Sequence, residues 1–288
     1  MKRIAITIAI GGLLAAFASA QPAPVPNRNL LTYVLTNDPV TGAAKFGAVD
    51  VGSGTFLEIG TGLPEDLGHA LMPVPGQSLL SLALSGDLYS IDLRTGVPTK
   101  VGATGLGDCA SPASPCGPKS AVTIGYLGGK YYALDSSQNL YSLDPATAAT
   151  KLIGPTGIPA ITIVPGAIDS GKLNLYFESM FSFRGKLYTN FDTSQLDLSN
   201  GSATAVVPGA LYQIDPDTGV ATRITPTDIG LLTIVNVNDT IYAFDAFHRR
   251  FVTLDLKTGQ TEAVSDIEPS AGLVCGAIPA RPVPSDLP

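Results

Sequence analysis

The chain predicts an all-β fold made of one four-stranded unit repeated five times, and three observations carry that reading. The first is a recurring string: LYSIDLRTG from Leu88 returns as LYSLDPATA from Leu140 and LYQIDPDTG from Leu211, with fainter copies FGAVDVGSG from Phe46 and FVTLDLKTG from Phe251. The second is spacing, because successive copies start 42, 52, 71 and 40 residues apart. The third is punctuation. Gly 31 and Pro 23 interrupt the chain every few residues, only 14% of residues are charged, and no amphipathic helical stretch of useful length follows the first twenty residues.

Each fixed place in the repeat has a reason in the chemistry of a tight hairpin. The two apolar positions frame a strand end. The Asp at 50, 92, 144, 215 or 255 is placed to accept backbone N–H bonds two or three residues on. Gly54, Gly96, Gly219 and Gly259 supply the positive φ that lets the chain double back, and Ala148 breaks that rule. With the strands of a unit denoted A to D, the string is strand C and its turn into D. Strand D follows as TFLEIG, VPTKVG, TKLIGP, VATRIT and QTEAVS. Strand B precedes C as KYYALD, KLYTNFD and TIYAFD, with LLTYVLTND and SLLSLALSG as weaker members. Strand A reaches B through Pro75-Gly76, Gly128-Gly129, Arg184-Gly185 and Asn238-Asp239.

A period near forty with four strands per unit is the pattern of propeller blades, each sheet packing both faces on its neighbours. The unit starting at Leu30 has strands B, C and D but no A, while AGLVCGAIP from Ala271 is a strand without a unit. If the one completes the other, the ends of the chain share a blade and no edge is left open. The expected fold is therefore a single five-bladed β-propeller over residues 30–280.

The remaining segments set the address. Residues 1–20 read as a secretory signal, with Lys2 and Arg3, an apolar run from Ile4 to Phe17, and Ala18-Ser19-Ala20 before a cleavage site after Ala20. Residues 21–29 are a Pro-rich leader and residues 281–288 a polar tail. No later segment reaches the roughly 20 apolar residues that a spanning helix needs. A secreted or periplasmic monomer is expected. The formal charge is −7, and removing Lys2 and Arg3 makes it −9, which argues against nucleic acid or an anionic membrane as partner.

The strings TYVLTND, LYTNFD and LYSIDLRTG with KVGATG resemble the YVTN-type and quinoprotein-like β-propeller repeats common in exported bacterial proteins. The resemblance implies a propeller with a binding or surface role, and it carries no catalytic residue onto this chain. A strict Tyr-Val-Thr-Asn tetrad never occurs. With no Trp in the chain, the tryptophan-docked blades of quinoprotein dehydrogenases are missing, so a quinone cofactor is not expected.

No Gly-rich phosphate loop, His-Glu-x-x-His, G-x-S-x-G elbow or Cys-x-x-Cys pair occurs. His69 and His248 are the two histidines. The first reads as a structural residue or a base at the channel mouth, the second as an exposed hairpin residue. Asp215-Pro-Asp217 begins like a calcium loop but lacks the closing Glu, so the turn reading holds. Tyr89, Tyr132, Tyr141, Tyr188, Tyr212 and Tyr242 keep fixed places in strands B and C and are expected between blades, whereas Tyr176, Phe177, Phe181 and Phe183 are less regular and could line a pocket. Cys109 and Cys116, in the Pro/Ser-rich loop of an exported protein, are expected to form a local disulfide, with Cys275 a buried free thiol.

Loop lengths point to a functional face. The A–B and C–D turns fall on one face and are tight; the B–C turns and D–A crossings fall on the other. Every long insertion belongs to the second: Ala103 to Pro118, Pro155 to Lys172, and a B–C excursion from Asp192 to Gly209. Candidate ligand-binding residues there are Glu65, Asp66, His69, Asp169, Lys172, Asp192, Asp197 and Asp228. Two functions fit such a face: a scaffold binding a protein or small-molecule ligand, or a hydrolase or lactonase with a divalent cation at the channel mouth.

Overall fold

The computed structural model describes residues 30–41, 43–61, 70–74, 78–83, 85–106, 120–161, 171–272, 274 and 276–279. Among them lie five four-stranded antiparallel sheets and no helix. Blade one is β1 (Leu31–Asn37), β2 (Ala44–Asp50) and β3 (Phe56–Gly60). Blade two is β4 (Leu71–Pro73), β5 (Ser78–Leu82), β6 (Asp87–Asp92) and β7 (Pro98–Ala103). Blade three is β8 (Ala121–Leu127), β9 (Lys130–Asp135), β10 (Asn139–Leu143) and β11 (Thr150–Pro155). Blade four is β12 (Lys172–Phe183), β13 (Lys186–Asp197), β14 (Ala203–Ile214) and β15 (Ala221–Pro226). Blade five is β16 (Leu231–Val237), β17 (Thr240–Asp245), β18 (Arg250–Leu254) and β19 (Thr261–Asp266).

The last strand, β20 (Gly276–Pro279), pairs antiparallel with β1 from Thr32↔Pro279 to Leu35↔Gly276 and so becomes the innermost strand of blade one. β20, β4, β8, β12 and β16 then stand side by side around the axis. The ring is closed by the two ends of the chain, as the sequence accounting required.

The repeat string positions the core. Its first residue is fully buried in every blade, as Phe46, Leu88, Leu140, Leu211 and Phe251, and so is the apolar residue three places on. Each such side chain contributes about 1.5–3 kcal/mol by leaving water. Tyr89, Tyr132 and Tyr212 are buried as expected, with Tyr141, Tyr188 and Tyr242 half-buried at the blade edges. Phe177 and Phe181 are buried too, the first edge-on to Phe247 and the second stacked on Tyr188. They are core, not pocket lining.

The A–B hairpins close through two residues of positive φ, Gly128-Gly129, Arg184-Gly185 and Asn238-Asp239, the backbone that matches strand twist. Pro75-Gly76 lies outside the described residues. The C–D turns share one hydrogen-bond pattern: the Asp N–H donates to the carbonyl five residues on, and the N–H four residues on, that of the fifth turn residue counting the Asp as first, donates back to the Asp carbonyl. The Asp carboxylate accepts the N–H two places on, at 2.9 Å from Gly52, 3.0 Å from Arg94, 2.8 Å from Ala146, 2.9 Å from Asp217 and 2.7 Å from Lys257. These donated N–H groups hold the carboxyls of Asp144, Asp215 and Asp255 below the usual range.

Strand D is bulged at one place in every blade. Ile59, Val101, Ile153, Ile224 and Val264 are the unpaired residues, each opposite the break after the first residue of the repeat string. The bulge twists the outer edge away from further pairing. It also aims the end of strand D at the C–D turn of the next blade. A Cβ on Gly60 would lie 2.5 Å from the Thr95 carbonyl oxygen and 2.8 Å from Gly96 Cα, and one on Gly154 would lie 2.5 Å from the Thr218 oxygen. A Cβ on Gly259 would overlap the Pro226 carbonyl oxygen, and one on Gly54 the Asp266 oxygen. The fifth turn residue is thus small for two reasons: a φ of +64° to +84° across the five blades, and no room. Ala148 is the exception, and its methyl faces Gly102, which has no side chain to meet it.

Two tests follow. Gly259→Ala adds left-handed backbone cost, about 1–2 kcal/mol, to a clash, and should lower stability by at least about 2 kcal/mol. Ala148→Gly relieves the same backbone cost while losing one buried methyl, about 0.8 kcal/mol, and should change stability by under about 1 kcal/mol in urea unfolding. Truncation after Ser270 removes β20 along with buried Ala271 and Val274. The truncated chain should lose its cooperative melt, since a domain's margin is only about 5–15 kcal/mol; a melt like that of the full chain would refute closure by the C-terminal strand.

Candidate functional site

The face of the B–C turns and D–A crossings is built on one local rule. In blades one, three and five strand B runs into an Asp, half-buried at Asp38 and buried at Asp135 and Asp245, whose carboxylate receives the N–H groups of the following turn. Asp38 accepts from Val40 and Thr41, Asp135 from Asn139 N–H at 2.8 Å, and Asp245 from His248 N–H at 3.1 Å. Side chains of the turn or of strand C complete the set: Lys45 on β2 pairs with Asp38 at 3.1 Å, Tyr141 on β10 donates its hydroxyl to Asp135 at 2.9 Å, and His248 Nδ1 sits 2.6 Å from Asp245. His248 itself is exposed, as the sequence suggested.

Blade two has Ala83 at the equivalent place, and blade four departs further. The expected B–C loop from Asp192 to Gly209 is not a loop: β12, β13 and β14 each run twelve residues, and their outer halves form a three-stranded sheet rising from this face. The reason lies in the residues. Asp197-Leu-Ser-Asn-Gly201 is a sixth copy of the C–D turn, with Gly201 at φ +72°, the Asp197 N–H bonded to Ser202 and the Gly201 N–H bonded back to Asp197. Asn200 in place of Thr hid it among the five others.

Strand alternation gives the extension two unlike sides. Lys172, Asn174, Gln195 and Asp197 share the side toward blade three, where Gln195 donates to Asn174 at 3.3 Å. Leu173, Leu175 and Phe177 share the side toward blade five, where Leu175 and Phe177 join the apolar cluster that includes Phe244, Phe251 and Val274. A bulge at Pro208-Gly209 returns β14 to the blade. A Cβ at Gly209 would lie 2.7 Å from the carbonyls of Thr227 and Asp228, so the crossing into blade five passes directly over it.

Of the candidate residues, Lys172, Asp192, Asp197 and Asp228 are described, and they serve separate ends. Lys172 and Asp197 face one another across the register of β12 and β13. Asp197 is the turn acid of the tip, held below the usual range by the Ser199 hydroxyl and N–H. Asp228 lies on the crossing between blades four and five and accepts the Thr261 hydroxyl at 2.7 Å. Asp192 is only 1% exposed, so it is no loop ligand. Because β13 continues past it, no turn N–H reaches it; its carboxylate accepts Gly230 N–H and Ser194 Oγ–H instead, both at 3.0 Å, and ties blade four to the start of blade five. Burial pushes its carboxyl up to about 7. Glu65, Asp66, His69 and Asp169 lie outside the described residues, as do Cys109, Cys116 and Cys275. Among the described residues no three His, Cys, Asp or Glu side chains gather to hold a metal.

Two residues absent from the candidate set matter more. Glu178, on β12, is 3% exposed and points to blade three, where Gln138 Nε2 donates to its Oε2 at 3.0 Å. Burial pushes the Glu178 carboxyl up to about 8. Gln138 occupies a place where the backbone is left-handed, with φ +63°, and its carbonyl accepts Thr156 N–H just as Gly86 accepts Thr104 N–H in blade two. The sequence held a signal for Glu178, a lone acid inside the apolar run LYFESMF. For Gln138 it held only a non-glycine at a glycine position.

Asp192 makes stability pH-dependent. Its carboxyl is raised above the unfolded value near 3.8, so the folded state holds the extra proton. The stabilisation is complete below that unfolded value and is lost as pH rises through about 7. Asp192→Asn keeps an acceptor for Gly230 N–H and a partner for Ser194. The wild type should therefore lose more stability between pH 5 and pH 8 than Asp192→Asn, by up to a few kcal/mol; parallel melting curves across that range would refute the assignment.

No family model and no curated protein matches the chain. Solved structures do. The nidogen/laminin complex overlaps 86% of this chain and 97% of that chain at 12% identity, with a TM-score of 0.48. A Bacteroides thetaiotaomicron protein of unknown function overlaps 82% of this chain and 55% of its own at 17% identity and TM-score 0.47. TolB from Acinetobacter baumannii overlaps 86% and 66% at 12% identity and TM-score 0.42.

Proposed function

We propose that this chain is an exported propeller scaffold that recognises a protein or small-molecule ligand on the face of the B–C turns and D–A crossings, around the blade-four extension. The observation that carries this reading is the extension itself. Four blades make their B–C hairpins from strands of at most seven residues, and blade four alone spends twelve in each of three. The added sheet contributes little to the blade's own core: Leu198, Ser199, Asn200, Gly201 and Ser202 at its tip are exposed. A rigid, anchored sheet with a polar side and an exposed tip is a recognition surface at low conformational cost.

The anchoring supports the reading further. Leu175 and Phe177 fasten one side of the extension into the core, so Lys172, Asn174 and Gln195 on the other side are held in a fixed row. Export to the periplasm or medium follows from the reading of residues 1–20.

Replacing Ser194–Ala205 by Asn-Gly closes the hairpin near the blade while keeping Asp192. The shortened protein should melt within a few degrees of the wild type. Immobilised on a resin and exposed to the extracytoplasmic proteins and metabolites of the producing cells, it should no longer retain the species that the wild type retains stoichiometrically. Equal retention by both would overturn this face as the recognition surface.

A further inference from the structure

We infer that the interface between blades three and four holds a calcium ion, bonded to the Glu178 carboxylate and the Gln138 amide oxygen, with the Asp135 carboxylate beside it. The first ground is a shortage of hydrogen-bond donors. Glu178 is buried, and beyond Gln138 Nε2 its only other donor is the Thr189 hydroxyl, 3.5 Å from Oε1. That hydroxyl has a single hydrogen and lies closer to two carbonyl oxygens, Ser179 at 3.2 Å and Asn190 at 3.1 Å. One carboxylate oxygen is left almost without a partner.

The second ground is the other end of the same amide. Gln138 is fully buried, its Nε2 is committed to Glu178, and its Oε1 meets no hydrogen-bond donor. An acceptor buried without a partner costs roughly 1–3 kcal/mol and calls for a ligand that brings positive charge. The backbone places this oxygen deliberately in energetic terms, since a side chain at a left-handed position stands where Gly86 suffices in blade two. The third ground is charge. Asp135, itself buried, heads the turn that carries Gln138, whose N–H donates to the Asp135 carbonyl at 2.8 Å, and among the described residues no Lys, Arg or His pairs with Asp135 or Glu178.

The donor chemistry selects the ion. Carboxylate, amide and hydroxyl oxygens with no nitrogen or sulfur suit a hard cation. Calcium accepts an irregular set of oxygens at about 2.3–2.6 Å and completes it with water, whereas magnesium demands a near-octahedral site. Two carboxylates match its charge. Bound there, the ion would join a B–C turn of blade three to the innermost strand of blade four.

The test uses the purified full chain in chelator and then in calcium. Its melting temperature should rise by roughly 5 °C or more at a hundredfold excess of calcium over Kd, and sodium chloride at matched ionic strength should not reproduce the rise. Terbium should bind at one site and emit on tyrosine excitation, since Tyr141 lies 2.9 Å from Asp135 and the chain has no Trp. Gln138→Gly, which the backbone tolerates as at Gly86, and Glu178→Gln should each weaken calcium about tenfold or more while still folding in chelator. A wild-type melt unchanged by calcium, an equal rise in sodium chloride, or wild-type calcium affinity in both variants would each overturn the inference.

Discussion

Everything in this ring depends on how one blade touches the next at its outer edge. The end of strand D, turned inward by its bulge, lies flat against the fifth residue of the neighbouring C–D turn, backbone on backbone. Gly60 on Gly96, Gly154 on Gly219, Pro226 on Gly259 and Asp266 on Gly54 are the same contact made four times. At the remaining junction Gly102 meets Ala148, so one methyl is accommodated because the facing residue supplies none. Side chains fill the interior between sheets, but the spacing of the blades at their rims is set where no side chain fits.

That double demand explains why the fold was legible. A residue chosen for positive φ alone could be Asn or Asp, as at Asn238 and Asp239 in an A–B turn; one that must also admit a neighbour's backbone is restricted to Gly or Ala. The repeat string is therefore rigid enough in sequence to be counted, and five copies gave five blades. The bulges were less visible, because Ile59, Val101, Ile153, Ile224 and Val264 continue the strand pattern and differ from it only in register. The extension of blade four was misread as a loop for a similar reason: Pro208, Gly209 and the Asn-Gly pair at 200–201 look like loop punctuation, yet one pair makes a bulge and the other a tight turn within continuous sheet.

The candidate site was legible only as a region. Loop length pointed to blade four, and blade four carries the distinctive structure. The individual acids could not be told apart in the sequence because the same residue type serves three ends here: Asp197 organises a turn, Asp192 crosses to the next blade, and Glu178 is buried against blade three. What separates them is whether the strand continues past the acid. A turn delivers N–H groups to a carboxylate and lowers its proton affinity; a continuing strand spends those groups on its own ladder and leaves the carboxylate to burial, which raises it.

The closing strand has a consequence in time. β1 is the second strand of its blade, and its inner neighbour β20 is written more than two hundred residues later. During synthesis, N-terminus first, blades two to five can assemble while β1 still presents a row of unpaired backbone groups. The ring is an open horseshoe until residues 276–279 arrive. That pairing is among the most distant in the chain and is the costliest in loop-closure entropy, so it belongs to the late steps of folding. A chain that stalls short of its end has four finished blades and an adhesive edge, the state most exposed to capture by another strand or by a chaperone.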